Sequence, residues 1–214
     1  MTAQVTIIGS GHMARALAQT ALKADRAVQI LGRNGSQTRD LVESLGPGAS
    51  GGVVGAAVEG GIVVLAVPYG EARKAIQELG DAIDGRVIVD ITNTVDVSTF
   101  DRLLTPAGTS SAEQIAEAVG GRADVVKAFN TVFAGPLGAG SVDGQHLDIF
   151  IAGDSEAAKE KVSALVARAQ MRPIDVGPLR RARELEAIML PIFALQVSPA
   201  HENFNWDISL RILP

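Results

Sequence analysis

A glycine-rich turn near the start of the chain restricts the possible folds more than any other feature of the sequence. Val5 to Ile8 form an apolar run that predicts a strand, and Gly9-Ser10-Gly11-His12-Met13-Ala14 follows it directly and opens a stretch of helical period. Gly9 permits the tight bend, Gly11 lets a phosphate group approach the backbone, and Ala14 allows close packing of helix against strand. The pattern predicts a Rossmann-type βαβ unit whose turn binds the pyrophosphate of a dinucleotide. A glycine-rich turn without a ligand is the alternative.

The rest of the sequence alternates between short β-branched runs and alanine-rich stretches of helical period, which is typical of a parallel sheet with crossover helices. Strands are predicted at 28–31, 62–67, 86–90, 125–129, 147–152 and 174–176, and helices at 14–23, 111–119 and 156–170. A longer helix at 179–197 is apolar on more than one side and is expected to be interrupted at Pro191. We therefore predict an α/β fold with a doubly wound, mainly parallel sheet and a small C-terminal helical cover.

Composition excludes several classes of function. The 214 residues suffice for one sizeable core, and with a net charge of −5 and scattered Lys and Arg residues they offer no basic surface for nucleic acid. The chain has no cysteine, which excludes disulfides, thiolate metal sites and a cysteine nucleophile, so redox chemistry would need a bound cofactor. There is no basic leader and no apolar run of about 20 residues, and we expect a cytoplasmic protein without a membrane partner.

The end of the second predicted strand indicates which dinucleotide is bound. An NAD enzyme usually presents Asp or Glu to the ribose hydroxyls at this point, but the sequence here is Gly32-Arg33-Asn34-Gly35-Ser36. Arg33 can stack on adenine and pair with a 2′-phosphate, and Asn34 and Ser36 can donate hydrogen bonds to its oxygens. NADP is therefore favoured over NAD; in the alternative, Arg33 is a solvated loop residue.

Two further segments follow predicted strands at the edge where open parallel sheets bind ligands. Ala66-Val67-Pro68-Tyr69 and the segment from Asp90 to Asn93 are expected to flank the nicotinamide and its ribose, while His12 is expected to face the cofactor without acting as a base or ligand. Asp90 is more typical of a cap on the following turn than of a catalytic carboxylate. Hydride transfer between two delocalised rings needs their reacting carbons within about 3.5 Å and no acid or base, so no catalytic residue is predicted.

Three later segments carry a resemblance to a known family. They are the run from Val125 to Val132, the turn Phe150-Ile151-Ala152-Gly153-Asp154 with the helix after it, and Asp175-Val176-Gly177-Pro178-Leu179 with Ala182-Arg183 and Leu185-Glu186. Together with the glycine-rich turn and Arg33, they make nearly the whole chain resemble the coenzyme F420-dependent NADP oxidoreductases.

The resemblance implies that the turn matching Gly9 to Met13 and the arginine matching Arg33 hold NADP, and that a deazaflavin lies over the nicotinamide in a cleft. It places near that cleft the positions Asn130, Ala134, Arg183 and Leu190, with Ala134 on the cofactor side and the other three on the side of the second partner. It also implies a compact homodimer. On this basis we expect residues 1–177 to form the NADP-binding domain and residues 178–214 to complete the partner pocket or a dimer contact.

The resemblance leaves the hydride acceptor open. A similar domain organisation occurs in the cytoplasmic domains of membrane ferric reductases, whose partner is an ordinary flavin. The sequence departs from the family pattern at 198–207, where Trp206 could stack on a ring or could belong to the core or a dimer contact. The adjacent His201 and Glu202 point in different directions and lack a third ligand, so no metal site is predicted.

Three functions therefore compete. The first is an oxidoreductase that transfers hydride between NADP(H) and coenzyme F420 or a flavin. The second is an NADPH-dependent reductase of a small carbonyl or imine substrate, as in the pyrroline carboxylate reductases. The third is a non-catalytic NADP-binding redox sensor, which would bind NADP tightly without turnover.

Overall fold

A central sheet flanked by helices organises the computed structural model, which describes residues 4–201 and 204–213. The strands are β1 (Val5–Ile8), β2 (Val28–Gly32), β3 (Ala49–Val53), β4 (Ile62–Leu65), β5 (Val87–Asp90), β6 (Asp124–Lys127), β7 (Ser141–Val142), β8 (Gln145–His146), β9 (Asp148–Gly153) and β10 (Arg172–Gly177). The helices are α1 (His12–Lys23), α2 (Gly35–Leu45), α3 (Tyr69–Leu79), α4 (Ser111–Val119), α5 (Ala134–Ala139), α6 (Glu156–Arg168), α7 (Ala182–Ala187) and α8 (Met189–Val197). Short 3-10 turns occupy Gly80–Ile83 and Leu179–Arg181.

The main sheet has the strand order β10-β9-β6-β5-β4-β1-β2-β3. Its pairs are parallel except for β6 with β9, which run antiparallel through Val126 opposite Gly153 and Lys127 opposite Ala152. In register, Ile7 of β1 faces Ile30 of β2 on one side and Val64 of β4 on the other. This arrangement confirms the predicted Rossmann-type, mainly parallel sheet.

The core lies in two layers, one on each face of the sheet. On one face α1, α2 and α6 cover alternate strand residues such as Ile7, Ile30 and Val89, and on the other face α3 and α4 cover Ile8, Leu65 and their neighbours. Because parallel strands are covered on both faces, β1, β2 and β5 are buried at every position.

Side-chain caps fix where several helices begin. The Asn34 side chain accepts hydrogen bonds from two backbone N–H groups of α2, and the Ser155 hydroxyl accepts one from the Ala158 N–H of α6. Ser110 accepts from the Glu113 N–H, and its hydroxyl also donates to the Glu113 carboxylate at 2.7 Å. The caps of α2 and α4 follow β2 and β5 at the carboxyl edge of the sheet, whereas Ser155 lies at the opposite edge, beside Asp124 at the start of β6.

The structure contains elements that the sequence does not predict. These are the helices α2, α3 and α5, the short strands β7 and β8, and β3, which lies within the glycine-rich stretch 46–61. The C-terminal helix is divided at Ile188, three residues before Pro191, because a proline has no N–H to donate to a carbonyl in the preceding turn. After α8 the chain returns to the sheet, where Ser209 bridges to Val132 and the Ile212 N–H donates to Asp148 at 2.8 Å.

Candidate functional site: a dinucleotide groove with an aromatic wall

The site begins where the sheet changes its winding direction. β1 and β4 are neighbours, but α1 after β1 and α3 after β4 cover opposite faces, so a crevice opens between their carboxyl ends. Gly9 turns the chain there with φ +121°, and a Cβ at this position would overlap the carbonyl oxygen of Ala66. Only glycine satisfies both requirements.

Gly11 faces open space at the start of α1. A Cβ at this position would have no heavy atom within 4 Å, and no side chain caps the first turn of the helix. The N–H groups of this turn therefore lack a side-chain acceptor, which is the arrangement that receives a phosphate at a helix N-terminus.

A cavity of about 580 Å³ lies on the α1 side of the crevice. We call it the first cavity; its lining residues are Gly11, His12, Met13, Ala66, Val67, Pro68, Tyr69, Ile91, Thr92, Asn93, Phe129, Asn130, Val132, Phe133, Ala134, Gly135, Phe193, Trp206 and Asp207. None of these described lining residues is Lys or Arg. The first cavity therefore suits an uncharged or cationic group better than an anionic one.

A second cavity of about 360 Å³ continues the groove toward β2. The two cavities share Gly11, Ala66, Val67 and Pro68, and the second one adds a polar set consisting of Ser10, Arg33, Asn34, Gln37, Glu71, Lys74 and Glu78. Arg33 is exposed at the mouth of this cavity and forms an ion pair of 2.7 Å with Glu71. A cationic group is thus present at the end where a 2′-phosphate is expected, although Glu71 accompanies it.

Asn34 and Ser36 have local roles in the structure. The Asn34 Oδ1 atom caps α2, and the Ser36 hydroxyl donates to the same atom at 2.8 Å. Asn34 lines the second cavity, whereas Ser36 does not appear among its lining residues. Their direct contact with a phosphate stays a prediction.

Asn93 and Asn130 form a reciprocal pair on the first cavity. The Asn93 amide donates to the Asn130 carbonyl at 2.8 Å, and the Asn130 amide donates to Asn93 Oδ1 at 3.1 Å and to the Leu185 carbonyl at 2.7 Å. Within the described part of the chain, the Oδ1 atom of Asn130 is buried without a hydrogen-bond partner. An unpaired buried acceptor is costly, and a donor from a ligand in the first cavity would remove this cost if it reached the atom.

A buried ion cluster lies directly behind the first cavity; it consists of Asp90, Lys127 and Glu186. The Lys127 ammonium donates to Asp90 at 2.8 Å, to Glu186 at 2.8 Å and to the Thr92 carbonyl at 2.6 Å. All three side chains are at most 1% exposed. Asp90 also accepts from the Thr92 N–H at 2.9 Å, which is the turn cap expected from the sequence.

Four groups surround the Glu186 carboxyl: the Lys127 ammonium, the Asp90 carboxylate, the Ser111 N–H and the Thr94 hydroxyl. Its second oxygen accepts from the Ser111 N–H at 3.0 Å and from the Thr94 hydroxyl at 3.3 Å. Burial, with a contribution from the charge of Asp90, raises the pKa of the Glu186 carboxyl, while Lys127 and the Ser111 N–H oppose this shift.

Aromatic rings from three parts of the chain close the first cavity. Phe133 precedes α5, Phe193 lies in α8 and Trp206 lies in the C-terminal segment, with ring centroids 5.2 Å apart for Phe133–Trp206 and 5.6 Å for Phe193–Trp206. We call these three residues the aromatic wall. Phe100 packs behind it against Phe193 at 6.0 Å. The wall offers apolar ring faces and edges next to the dinucleotide turn.

The structure brings together most of the site residues that were chosen from the sequence, but not all. Ala134 lies in the first cavity beside Asn130. Arg183 instead forms a two-pronged ion pair with Glu113 at 2.8 and 2.6 Å, and neither Arg183 nor Leu190 lines the cavity. Their expected place in the partner pocket therefore does not coincide with this cavity.

Sequence reasoning missed Phe133, Phe193 and Asp207 as lining residues, and it missed Lys127 as a buried charge. The position of Lys127 inside the apolar run Val125 to Phe129 was the available signal, since a lysine there must find a partner.

Of the adjacent pair His201 and Glu202, only His201 lies within the described residues. Among the residues that the structure describes, no group of three side chains could hold a metal, and no helix is long and apolar enough to cross a membrane.

The comparisons with known proteins agree with this geometry. Residues 4–94 match the family model of the coenzyme F420-dependent NADP oxidoreductases. The chain is 33% identical over 187 residues to the metalloreductase STEAP3 of Rattus norvegicus, which covers 87% of this chain and 36% of that protein. It is 32% identical over 148 residues to the F420-dependent NADP reductase of Methanocaldococcus jannaschii, which covers 66% of this chain and 65% of that protein. The chain thus spans about a third of the first relative and just under two thirds of the second.

The fold agrees with a solved structure over nearly the whole length of this chain. A provisionally assigned F420-dependent NADP reductase of Arthrobacter sp. fb24 superposes with a TM-score of 0.82 at 24% identity, covering 97% of this chain and 100% of that one. The fold is of the Rossmann type, and the relatives that the chain matches are described as a metalloreductase and as an F420-dependent NADP reductase. The match of residues 4–94 to the family model and the similarity to the reductase of Methanocaldococcus jannaschii agree with the resemblance found in the sequence.

Proposed function

We propose that this protein transfers hydride between NADP(H) and a planar ring acceptor, with coenzyme F420 the first candidate and a flavin the second. The observation that carries the proposal is the continuity of the groove, which leads from Arg33 past the glycine-rich turn to the aromatic wall. One end suits a phosphorylated adenosine, and the other suits two stacked rings.

The residues present fit NADP at three points. The open space at Gly11 and the uncapped start of α1 suit the pyrophosphate. Arg33 is positioned for the 2′-phosphate, and the unpaired Oδ1 of Asn130 suits the carboxamide NH2 of the nicotinamide. Ala66 to Tyr69 and Asn93 would flank the ring and its ribose.

Positioning accounts for the chemistry of the proposed reaction. NADPH supplies the hydride when bound, and no proton has to be moved by the protein at the reacting carbons. Among the described residues, only His12, Tyr69 and Asp207 are titratable in the lining of the first cavity, and the Tyr69 hydroxyl donates to Gln114 at 3.0 Å. The aromatic wall and Ala134 would hold the acceptor against the nicotinamide and exclude water.

Two other functions make different predictions. A reductive aminase of Aspergillus terreus and a pyrroline-5-carboxylate reductase of Coxiella burnetii share the fold at 17% and 18% identity, which shows a common architecture alone. A reductase of this kind would oxidise NADPH only with an imine or carbonyl substrate, whereas a redox sensor would bind NADPH and turn over nothing. A cytoplasmic location and a homodimer remain predictions from the sequence.

The first test is anaerobic NADPH oxidation by the purified protein, followed by absorbance, with coenzyme F420, FMN, FAD and riboflavin offered in parallel. Turnover with the deazaflavin alone would support the F420 assignment, and turnover with flavins would support the flavin assignment. Tight NADPH binding without turnover of any of these acceptors would contradict the proposal and favour the sensor.

A further inference from the structure

The buried ion cluster contains two carboxyl groups and one ammonium group behind the first cavity. Asp90 and Glu186 share the single ammonium of Lys127, and the three side chains are at most 1% exposed. When both carboxyls are ionised, the cluster has a net charge of −1 that water cannot screen.

The backbone of Thr92 lies between the cluster and the first cavity. The Thr92 carbonyl receives a hydrogen bond from Lys127, and Thr92 and its neighbour Asn93 line the first cavity. The described lining of that cavity contains no Lys or Arg that could neutralise the excess charge, and Asp207 adds a further acid.

A nicotinamide ring responds to such a charge in only one of its two states. The ring is cationic in NADP⁺ and neutral in NADPH, while the rest of the two molecules is the same. A fixed negative charge therefore stabilises bound NADP⁺ relative to bound NADPH. The phosphates are the same in both molecules, so their repulsion from this charge does not change the ratio of the two affinities.

We propose that the Asp90–Lys127–Glu186 cluster sets the relative affinity of this protein for NADP⁺ and NADPH. Asp90 and Glu186 are positioning residues that act on the nicotinamide ring through their negative charge. The inference rests on the proposed NADP binding but not on the identity of the acceptor. By favouring the cationic ring, the cluster lowers the free energy of the state that exists after hydride has left NADPH.

Two neutralising variants test the proposal, Glu186→Gln and Asp90→Asn. Each removes one negative charge at a different position, and each leaves a carboxylate partner for Lys127. The ratio of the NADP⁺ and NADPH dissociation constants is measured by calorimetry without an acceptor, at a pH at which Glu186 of the unchanged protein is ionised. It is expected to shift against NADP⁺ by roughly three- to twentyfold in both variants. Glu184→Gln is the matched control, because Glu184 lies on α7 as well but is exposed; its ratio should stay within about twofold of the unchanged protein.

Circular dichroism and thermal unfolding check that each variant is folded, since the glutamine NH2 group would meet the Ser111 N–H that now donates to Glu186. If both variants fail to fold, the proposal is tested by the pH dependence of the NADP⁺ and NADPH affinities of the unchanged protein. The charged groups that face Glu186 among the described residues are Lys127 from β6 and Asp90 from β5, while Thr94 and Ser111 contribute neutral donors. Raising the pH through the titration of Glu186 should then favour NADP⁺ over NADPH, and a ratio that stays constant over the whole pH range in which the protein is folded would overturn the proposal.

The outcomes separate this inference from the proposed function. Equal loss of both affinities in both folded variants, or an unchanged ratio, would overturn the role of the cluster alone. Failure of the unchanged protein to bind either nucleotide would overturn the proposed function and this inference with it.

Discussion

At the scale of single residues, Arg33 determines the dinucleotide preference in our proposal. Its guanidinium is exposed at the mouth of the second cavity and pairs with Glu71 at 2.7 Å, a contact that a 2′-phosphate would replace. We expect Arg33→Glu to weaken NADPH binding by roughly 10- to 100-fold, because it removes charge-assisted hydrogen bonds and adds a second acid next to Glu71. NADH, which lacks the phosphate, should change by less than about threefold.

The measurement is titration of both nucleotides by fluorescence or calorimetry. Arg73→Glu is the matched control, since Arg73 is an exposed arginine on α3 that lines neither the first nor the second cavity. Unchanged NADPH affinity in Arg33→Glu would contradict the assignment of the 2′-phosphate site.

Ala134 tests the position of the acceptor. It is the first residue of α5 and lines the first cavity together with Asn130 and the aromatic wall. We expect Ala134→Leu to reduce acceptor turnover by at least about tenfold by filling the space for the second ring, with NADPH affinity within about twofold. Ala139→Leu, at the exposed far end of the same helix, should leave both quantities unchanged. Loss of NADPH binding together with turnover would place Ala134 on the cofactor instead.

At the scale of elements, the segment after α8 becomes part of the site only because it folds back. The Trp206 N–H donates to the Gln196 side chain of α8 at 2.9 Å, and its ring meets Phe133 and Phe193 edge to face. We expect Trp206→Ala to raise the KM of a ring acceptor about threefold or more, since one face of the pocket is lost, and to leave NADPH affinity unchanged.

Steady-state kinetics at saturating NADPH would measure this effect. Phe204→Ala is a suitable control, because the described ring contact of Phe204 is with His201 at 5.5 Å and it does not line the first cavity. An unchanged KM in Trp206→Ala would show that the acceptor binds away from the aromatic wall.

The elements that could be predicted from the sequence are those with local signals. The turn from Gly9 to Ala14 joins a buried strand to a helix, and both neighbours could be identified without knowledge of the rest of the chain. β3 was missed because Ala49–Val53 contains two glycines and shows no β-branched run; its backbone pairs with β2, and a Cβ at Gly51 would come within 2.8 Å of Val42. α2 was missed because only two of its residues, Thr38 and Leu41, are buried, which is too few to give a clear helical period.

The buried ion cluster could not be predicted because its members are brought together by the fold alone. Lys127 and Glu186 are 59 positions apart in the chain, and Asp90 is 37 positions from Lys127. A lysine in an apolar strand needs a partner for its charge, but the sequence does not show which of the acids is that partner. The same applies to the aromatic wall, whose rings come from separate segments.

At the scale of the whole molecule, one carboxylate links β9, the edge strand β10 and the returning C-terminal segment. Arg172 of β10 donates to Asp148 of β9 at 2.7 and 2.6 Å, and the same carboxylate accepts from the Ile212 N–H. Although the burial of Asp148 acts to raise its pKa, the hydrogen bonds from Arg172 and Ile212 outweigh it and hold the pKa below the usual value. Arg172 and the returning segment thus depend on a single buried carboxylate.

We expect the stability of the protein to fall in acid for this reason. A carboxyl whose pKa is lower in the folded state contributes stability above its ordinary pKa of about 4, and that contribution is lost as the pH falls through the folded-state value. Asp148→Asn should lower the free energy of unfolding at pH 7 by about 1–3 kcal/mol and reduce the loss between pH 5 and pH 2, as measured by urea denaturation. Asp143→Asn, in the exposed turn between β7 and β8, should behave as the unchanged protein. Equal acid sensitivity of Asp148→Asn and the unchanged chain would mean that other carboxyls govern acid unfolding, since removing this carboxyl also removes its titration.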